Sequence, residues 1–257
     1  MITTAELVQY LDDILETATV PDYPNAMNGL QLANSGKVTG IAAAVDFSSR
    51  AIVDAAAAGA DFLLVHHGMF WNGARPITGT AYNRMRTLLQ HDIAVYSSHL
   101  PLDRHKEFGN NVLLSKALGL SASSEFASFK GSSIGVRGEG DVSTTELTDR
   151  ARAFAGRHGG AVVTTPFAKE RRTIRWAICT GAGASAETIQ EAVDTGIDTL
   201  IVGEGPHWTA VEGAELGITI IYAGHYATET PGVSALAEHL AERFSLGFTL
   251  VHAPTGL

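Results

Sequence analysis

Three groups of side chains in this sequence have the chemistry of metal ligands. His66 and His67 are adjacent, His99 and Asp103 follow with His105 close by, and His225 and Glu229 repeat the His-x3-carboxylate spacing of His99 and Asp103. Ten histidines are more than a core needs, and these lie where apolar stretches end. Imidazole with carboxylate suits Zn, Mn, Fe, Co or Ni, and no thiolate accompanies the groups. Neighbouring side chains on a strand point to opposite faces. His66 and His67 therefore serve two ions, or one ion from a turn that Gly68 permits. A carboxylate can bridge two ions, the arrangement that activates water.

Each group has an ordinary alternative. A histidine pair can sit in an exposed turn, and a carboxylate beside a surface histidine can cap a helix. The recurrence of all three groups at strand ends favours metal, because ligands of α/β sheets bind at the carboxyl ends of strands. Gly181-Ala-Gly183-Ala-Ser185 could cradle an anion before a helix, but it lacks both the full GxGxxG and the Walker lysine, so a tight turn is the better reading. Asp46 follows a strand and either lines a pocket or turns the chain. Cys179 reads as an inert core thiol. No GxSxG nucleophile elbow is present. His91, His158, His239 and His252 read as surface residues.

The elements that must position these groups are legible in outline. Thr3-x-x-Glu6 is a capping box, and Leu7, Leu11, Ile14 and Leu15 recur at helical spacing. Residues 38–45 read as a buried strand, 50–58 as a helix capped by Ser48 or Ser49, and 60–65 as a strand running into His66. A helix over 81–90, a strand over 93–97 and a helix over 110–118 follow. Ser143-x-x-Glu146 opens a helix to His158. Residues 173–180 read as a strand, 186–195 as a helix, and 199–202 and 219–223 as strands. Thr230-Pro231 reads as cap plus first helical position, and 248–252 (FTLVH) as a closing strand. The alternation predicts an α/β architecture.

The halves are alike. Ser48…Gly59-x-Asp61-x-Leu63-x-Val65 matches Ser185…Gly196-x-Asp198-x-Leu200-x-Val202 at an offset of 137, and Tyr96-x-x-His99 matches Tyr222-x-x-His225 at 126. An internal duplication is expected, with residues 1–125 and 126–257 as two intertwined repeats in one compact unit. His66, His67, His99 and Asp103 fall in the first and His225 and Glu229 in the second, so the site is expected where the repeats meet.

Composition bounds the function. The 257 residues are 45% apolar and carry a net charge of −9. That excludes intrinsic disorder and argues against nucleic acid as a partner, which needs a basic face. One cysteine excludes a disulfide framework. No apolar run approaches the ~18 residues of a membrane span, and the acidic, amphipathic start is not a signal peptide, so a cytoplasmic protein is expected.

The segments MNGLQ (27–31), VHHGMFWNG (65–73), SHLPLD (98–103), GNN (109–111), VGE (202–204) and AGHYATE (223–229) together resemble the Nif-three-like family, many of whose members carry the name type 2 GTP cyclohydrolase I or its homologue. The resemblance runs from the first loop to the final helix. It implies two intertwined α/β repeats with mixed sheets, a dinuclear metal centre and a homohexamer built as a trimer of dimers. It implies His66, His67, Asp103, His225 and Glu229 as ligands of two divalent ions, with His99 beside them as a supporting residue or proton shuttle. Family members often have Thr-Gly-Glu where this chain has Val202-Gly203-Glu204, and larger members carry an inserted domain for which this chain lacks the length. The expected activity is metal-dependent hydrolysis of a small polar or nucleotide substrate; the alternative is a non-catalytic role in metal handling or as a scaffold.

Overall fold

The computed structural model describes residues 2–257, which divide into two compact units, one running up to Leu102 with Gly232–Ala253, and the other Asp103–Pro231 with Pro254–Leu257. The first unit contains β1 (Ile2–Thr3), α1 (Thr4–Ile14), β2 (Gly29–Leu32), β3 (Lys37–Val38), β4 (Gly40–Asp46), α2 (Ser49–Ala57), β5 (Phe62–His67), α3 (Gly79–Gln90) and β6 (Ala94–Ser97). The short α4 (Leu100–Asp103) ends in the second unit. There follow α5 (Asn110–Ala117), β7 (Ser124–Phe129), β8 (Ser132–Ser143), α6 (Thr144–Arg157), β9 (Val163–Thr164), β10 (Arg172–Cys179), α7 (Ala186–Asp194), β11 (Thr199–Val202), α8 (His207–Glu215) and β12 (Thr219–Tyr222). Then α9 (His225–Phe244) and β13 (Gly247–Leu250) complete the order.

In the first unit the sheet order is β13-β4-β5-β6-β2. β13, β4, β5 and β6 run parallel and β2 is antiparallel. Every residue of β5 is buried, as a parallel strand covered on both faces requires. Ala42, Ala44, Leu63, Val65 and Val95 pack against Ala51, Ile52 and Ala55 of α2 and Leu88 of α3. α1 opens with the expected reciprocal capping box of Thr3 and Glu6.

In the second unit the order is β7-β8-β10-β11-β12-β9, with β10, β11 and β12 parallel. The two-residue period of a strand divides its core. Trp176, Ile178, Ile201 and Ile221 join Leu114, Leu147 and Phe154 in one cluster, while Ala177, Cys179, Leu200, Val202 and Ile220 join Ile189 and Ala192 in another. Val202 is thus a core residue. The mixed sheets agree with the α/β expectation. Three parallel strands flanked by an antiparallel one occur in each unit, β4-β5-β6 with β2 and β10-β11-β12 with β9.

Several elements correct the sequence reading. The last helix begins at His225, with Pro231 inside it. Thr230 does not cap: its hydroxyl donates to the Tyr226 carbonyl at 2.8 Å, as that of Thr228 does to His225 at 3.0 Å. Pro231 brings no N–H to its turn of the helix. α8 was not anticipated, nor was β8, whose glycines conceal a strand pattern. An added Cβ on Gly138 would stand 2.6 Å from both the Ser121 carbonyl oxygen and the Trp176 ring. Among the histidines read as surface, His158 and His239 are half-buried, and the Tyr10 hydroxyl lies 2.6 Å from His239 Nε2.

Gly138→Ala is expected to destabilise the fold by about 1–3 kcal/mol through overpacking. Gly156→Ala, in α6 with nothing within 4 Å of an added Cβ, is expected to stabilise by about 0.5–1 kcal/mol through helix propensity. Urea denaturation midpoints moving in opposite directions check the pair.

Candidate metal centre

The chemistry-bearing residues of the first unit stand at the carboxyl ends of its parallel strands. β4 ends on Asp46, paired in register with His67 at the end of β5. Ser98 and His99 follow β6 directly. His66, His67 and His99 are all buried, and each can offer one ligand atom such that the three atoms lie within 4.8 Å of one another. Adjacent strand residues normally diverge, yet the His66 and His67 rings approach to 4.8 Å between centroids. β5 ends at His67, and Gly68 turns the chain in a space that the Gln31 side chain would deny to any Cβ. Gln31 holds this turn by accepting from the Met69 amide at 2.7 Å and donating to the Ala26 and Met27 carbonyls.

Each of these histidines is oriented through Nδ1. His66 Nδ1 is 2.8 Å from the Ser98 carbonyl oxygen, His67 Nδ1 is 2.9 Å from Asp46 Oδ1, and His99 Nδ1 is 2.9 Å from Asp22 Oδ1. An oxygen acceptor places the proton on Nδ1, so Nε2 carries the lone pair. Asp22 is itself anchored by Asn28 Nδ2 at 2.8 Å and the Leu100 amide at 2.9 Å. Burial would raise the Asp22 carboxyl, but the bond and charge of His99, then Asn28 and the Leu100 amide, outweigh burial and hold it below its usual value. Trp71 lies 4.6 Å from the His67 ring and 4.5 Å from that of His99.

The second unit uses the same strand ends. Thr180 and Gly181 follow β10, Glu204 follows β11, and His225 follows β12 to open α9. Because the helix starts at His225, His225 and Glu229 are one turn apart on one face, with His225 Nε2 3.1 Å from Glu229 Oε2. His225 Nδ1 is 2.8 Å from Glu204 Oε1. Burial would lower the His225 pKa, but Glu229 and then Glu204 outweigh it and raise the value to about 9. Gly181, at φ 61°, is required here, because a Cβ would run into Glu229 Oε1. Its amide donates to Thr228 Oγ1 at 3.1 Å.

Asp103 is buried and accepts from Asn110 Nδ2 at 2.8 Å. Asn111 bonds the Asp103 carbonyl at 3.2 Å and accepts from the Thr180 amide at 2.9 Å. His105 is wired the opposite way: its Nδ1 accepts from the Glu107 and Phe108 amides, and its ring stacks on Phe108. Cys179 is buried, and burial, with Asp103, Glu191 and Glu229 adding to it, pushes its thiol up to about 12, which agrees with an inert core thiol.

The first unit thus gathers three imidazoles backed by oxygen acceptors, and the second gathers His225 with Glu229 and, on α4, Asp103. Sequence reasoning missed the parts played by Asp22, Asn28, Asn110 and Glu204. It read Gly181 only as part of a turn and left Asp46 open. The segments MNGLQ, GNN and VGE already contained Asn28, Asn110 and Glu204.

Buried nitrogen and carboxylate donors at the strand ends of a mixed α/β fold could hold a metal ion. The chain belongs to the Duf34/NIF3 (NGG1p interacting factor 3) family, which it matches over residues 2–255. It is 38% identical to a Deinococcus radiodurans protein named GTP cyclohydrolase 1 type 2 homolog, over 98% of this chain and 94% of that one. Protein ybgI, a solved structure described as of unknown function, is similar with a TM-score of 0.89 and 35% identity, covering 100% of both chains. TTHA1606 from Thermus thermophilus is similar with a TM-score of 0.85 and 35% identity, again covering 100% of both.

In the metal-free protein, His225 is expected to titrate near pH 9, and Glu204→Gln is expected to lower that midpoint. Since the folded value lies above that of the unfolded chain, the imidazolium's contribution to stability is complete below about pH 6.5 and is lost as pH rises through the folded pKa. Histidine proton shifts followed by NMR check both.

Proposed function

We propose that this protein is a dinuclear-metal-dependent hydrolase acting on a small polar or nucleotide substrate in the cytoplasm. His66, His67, Asp103, His225 and Glu229 are its ligands. The observation that carries this reading is the common wiring of four imidazoles. Each has Nδ1 tied to a carbonyl or carboxylate oxygen, which is how metal-ligating histidines are oriented. The donor set fits two divalent ions of the Zn, Fe, Mn, Co or Ni type, having imidazole and carboxylate but no ionisable thiol. The names of the relatives add support for a nucleotide substrate.

Bound ions would acidify a water molecule and polarise the bond under attack. The chain's own contribution is to hold charge and orientation. Asp103 and Glu229 bring the negative charge, Asp103 kept in place by Asn110 and Glu229 by its packing on Gly181. Glu229, with the longer side chain and two oxygens, is assigned to both ions. The ligands proposed are two imidazoles from the first unit and, from the second, one imidazole with two carboxylates. His99 belongs beside the ligands with Nδ1 held by Asp22. Its Nε2 can take and return a proton or donate a lone pair to an ion.

Glu229→Gln keeps the shape and removes the charge, so it is expected to weaken binding of both ions, whereas His66→Ala weakens mainly one. Calorimetry with Zn²⁺ or Mn²⁺ reads the difference. Wild-type affinity for two ions in Glu229→Gln would remove Glu229 from its central place. Nucleotide turnover by the loaded protein, lost in His225→Ala, supports the hydrolase. Tight binding with no turnover supports metal handling instead.

The homohexamer implied by the resemblance is part of this proposal. Light scattering at micromolar concentration is expected to give about six times the chain mass of 27.1 kDa. A particle with the mass of a single chain rejects it.

A further inference from the structure

We infer that Tyr23 and Trp71 form a stacking platform for the planar ring of a nucleobase, beside the histidines of the first unit. The inference rests on the reading of a nucleotide substrate and deepens it by giving the base its place.

The two rings are carried by loops that the chain holds stiff. Tyr23 lies in the loop after α1. Its amide donates to Asp22 Oδ1 at 2.6 Å, and its carbonyl accepts from the Ala26 amide at 3.0 Å. Asn28 closes this loop by donating to Asp22 Oδ2 and accepting from the His99 amide. Trp71 lies in the loop after β5, where its amide donates to the Gly68 carbonyl at 3.2 Å. Gln31 ties the two loops together, accepting from the Met69 amide and donating to the Ala26 and Met27 carbonyls. Met27 is held at φ 43°, a conformation that costs energy for a residue with a Cβ. A backbone tied at this many points, and strained at one, holds its aromatic side chains in place before a ligand arrives.

Both rings lean on one histidine. Trp71 meets the His99 ring at 4.5 Å and 64°, and Tyr23 meets it at 6.1 Å and 45°. Yet Tyr23 is 51% exposed and Met27 52%, and Trp71 is only half-buried. Core packing does not account for large apolar side chains left in water around buried imidazoles. Tyrosine and tryptophan offer wide, rigid contact area at little cost in side-chain freedom. Every base has a π-face to lay on such a rim, and a ribose or phosphate has none.

The test measures equilibrium binding to the full-length, metal-loaded chain by calorimetry, with guanosine monophosphate and ribose 5-phosphate as probes. The wild-type chain is expected to bind the nucleotide roughly 5- to 150-fold more tightly than the sugar phosphate, the span that stacking of one base covers. Tyr23→Ala is expected to remove most of that advantage and to leave the affinity for ribose 5-phosphate unchanged, while Tyr23→Phe keeps it. Tyr23→Ser takes the place of Tyr23→Ala should the latter fail to fold. The nucleotide, unlike ribose 5-phosphate, is also expected to move the Trp71 indole resonance by its ring current, with Trp71→Phe assigning that resonance. Equal wild-type affinities for the two probes overturn the inference, as does an advantage that survives loss of the Tyr23 ring. So does an unmoved Trp71 resonance. A smaller particle for Tyr23→Ala with its base preference intact also overturns it, making the rim a contact between copies. A base preference carried by Tyr23 without any nucleotide turnover leaves the platform standing and removes the hydrolase. Turnover without a base preference keeps the hydrolase and removes the platform.

Discussion

The hydrogen bond from an imidazole Nδ1 to a fixed oxygen is the interaction around which this structure is arranged. An imidazole without such a partner has two tautomers and a ring free to turn, and only one combination presents Nε2 in a chosen direction. Much of the local architecture serves these bonds. β4 ends where Asp46 pairs in register with His67. The loop after α1 brings Asp22 to His99, with Asn28 bonding both the Asp22 carboxylate and the His99 amide. The glycines follow from the same demand: Gly68 makes room for Gln31 and Gly181 for Glu229, so each gives up a side chain where a polar one must pass.

The two units reach this result through different wiring of one strand pattern. In the first, an acid ending the first parallel strand serves a histidine ending the second. In the second, Glu204 after the middle strand serves His225 after the third. Parallel neighbours lie about 4.8 Å apart, so residues just past the ends of adjacent strands can meet in either combination. The strand registers bear on the offsets read from the sequence. Phe62 pairs with Ala94 and Thr199 with Thr219, a strand offset one residue shorter than that relating His99 to His225. The extra residue is accounted for at Gly224, which holds φ at 90° just before α9 begins.

Core strands and amphipathic helices were legible because burial imposes periodicity, as in α1, β5, α7 and β11. The histidines and carboxylates were legible because those side chains are rarely placed together at strand ends without a task. What escaped were relations that no local pattern encodes. Asp22 and His99 are 77 residues apart in sequence, and nothing local to Asp22 marks it as their link. β8 was hidden because close approach to Trp176 and Ser121 requires glycine where a strand pattern would show β-branched residues. The start of α9 was misplaced because Thr-Pro is a sound capping signal in isolation. Here the helix runs on through Pro231 from its start at His225.

Asp22 shows how far the electrostatics of the first unit are settled by the chain itself. Its side chain is 6% exposed, and a buried carboxylate is costly unless hydrogen bonds and opposite charge compensate it. Here His99, Asn28 and two backbone amides, those of Tyr23 and Leu100, donate to it, and its pKa falls despite burial. The anion is therefore stable in place, and its field passes through the ring of His99 toward His66 and His67. The same bond fixes the orientation of the ring and leaves Nε2 as its acceptor nitrogen. Asp46, more exposed, acts on His67 in the same sense. Two of the three imidazoles at this strand end, His67 and His99, rest their far sides on carboxylates, which gives the place a negative bias. Such a place favours a small cation over an anion.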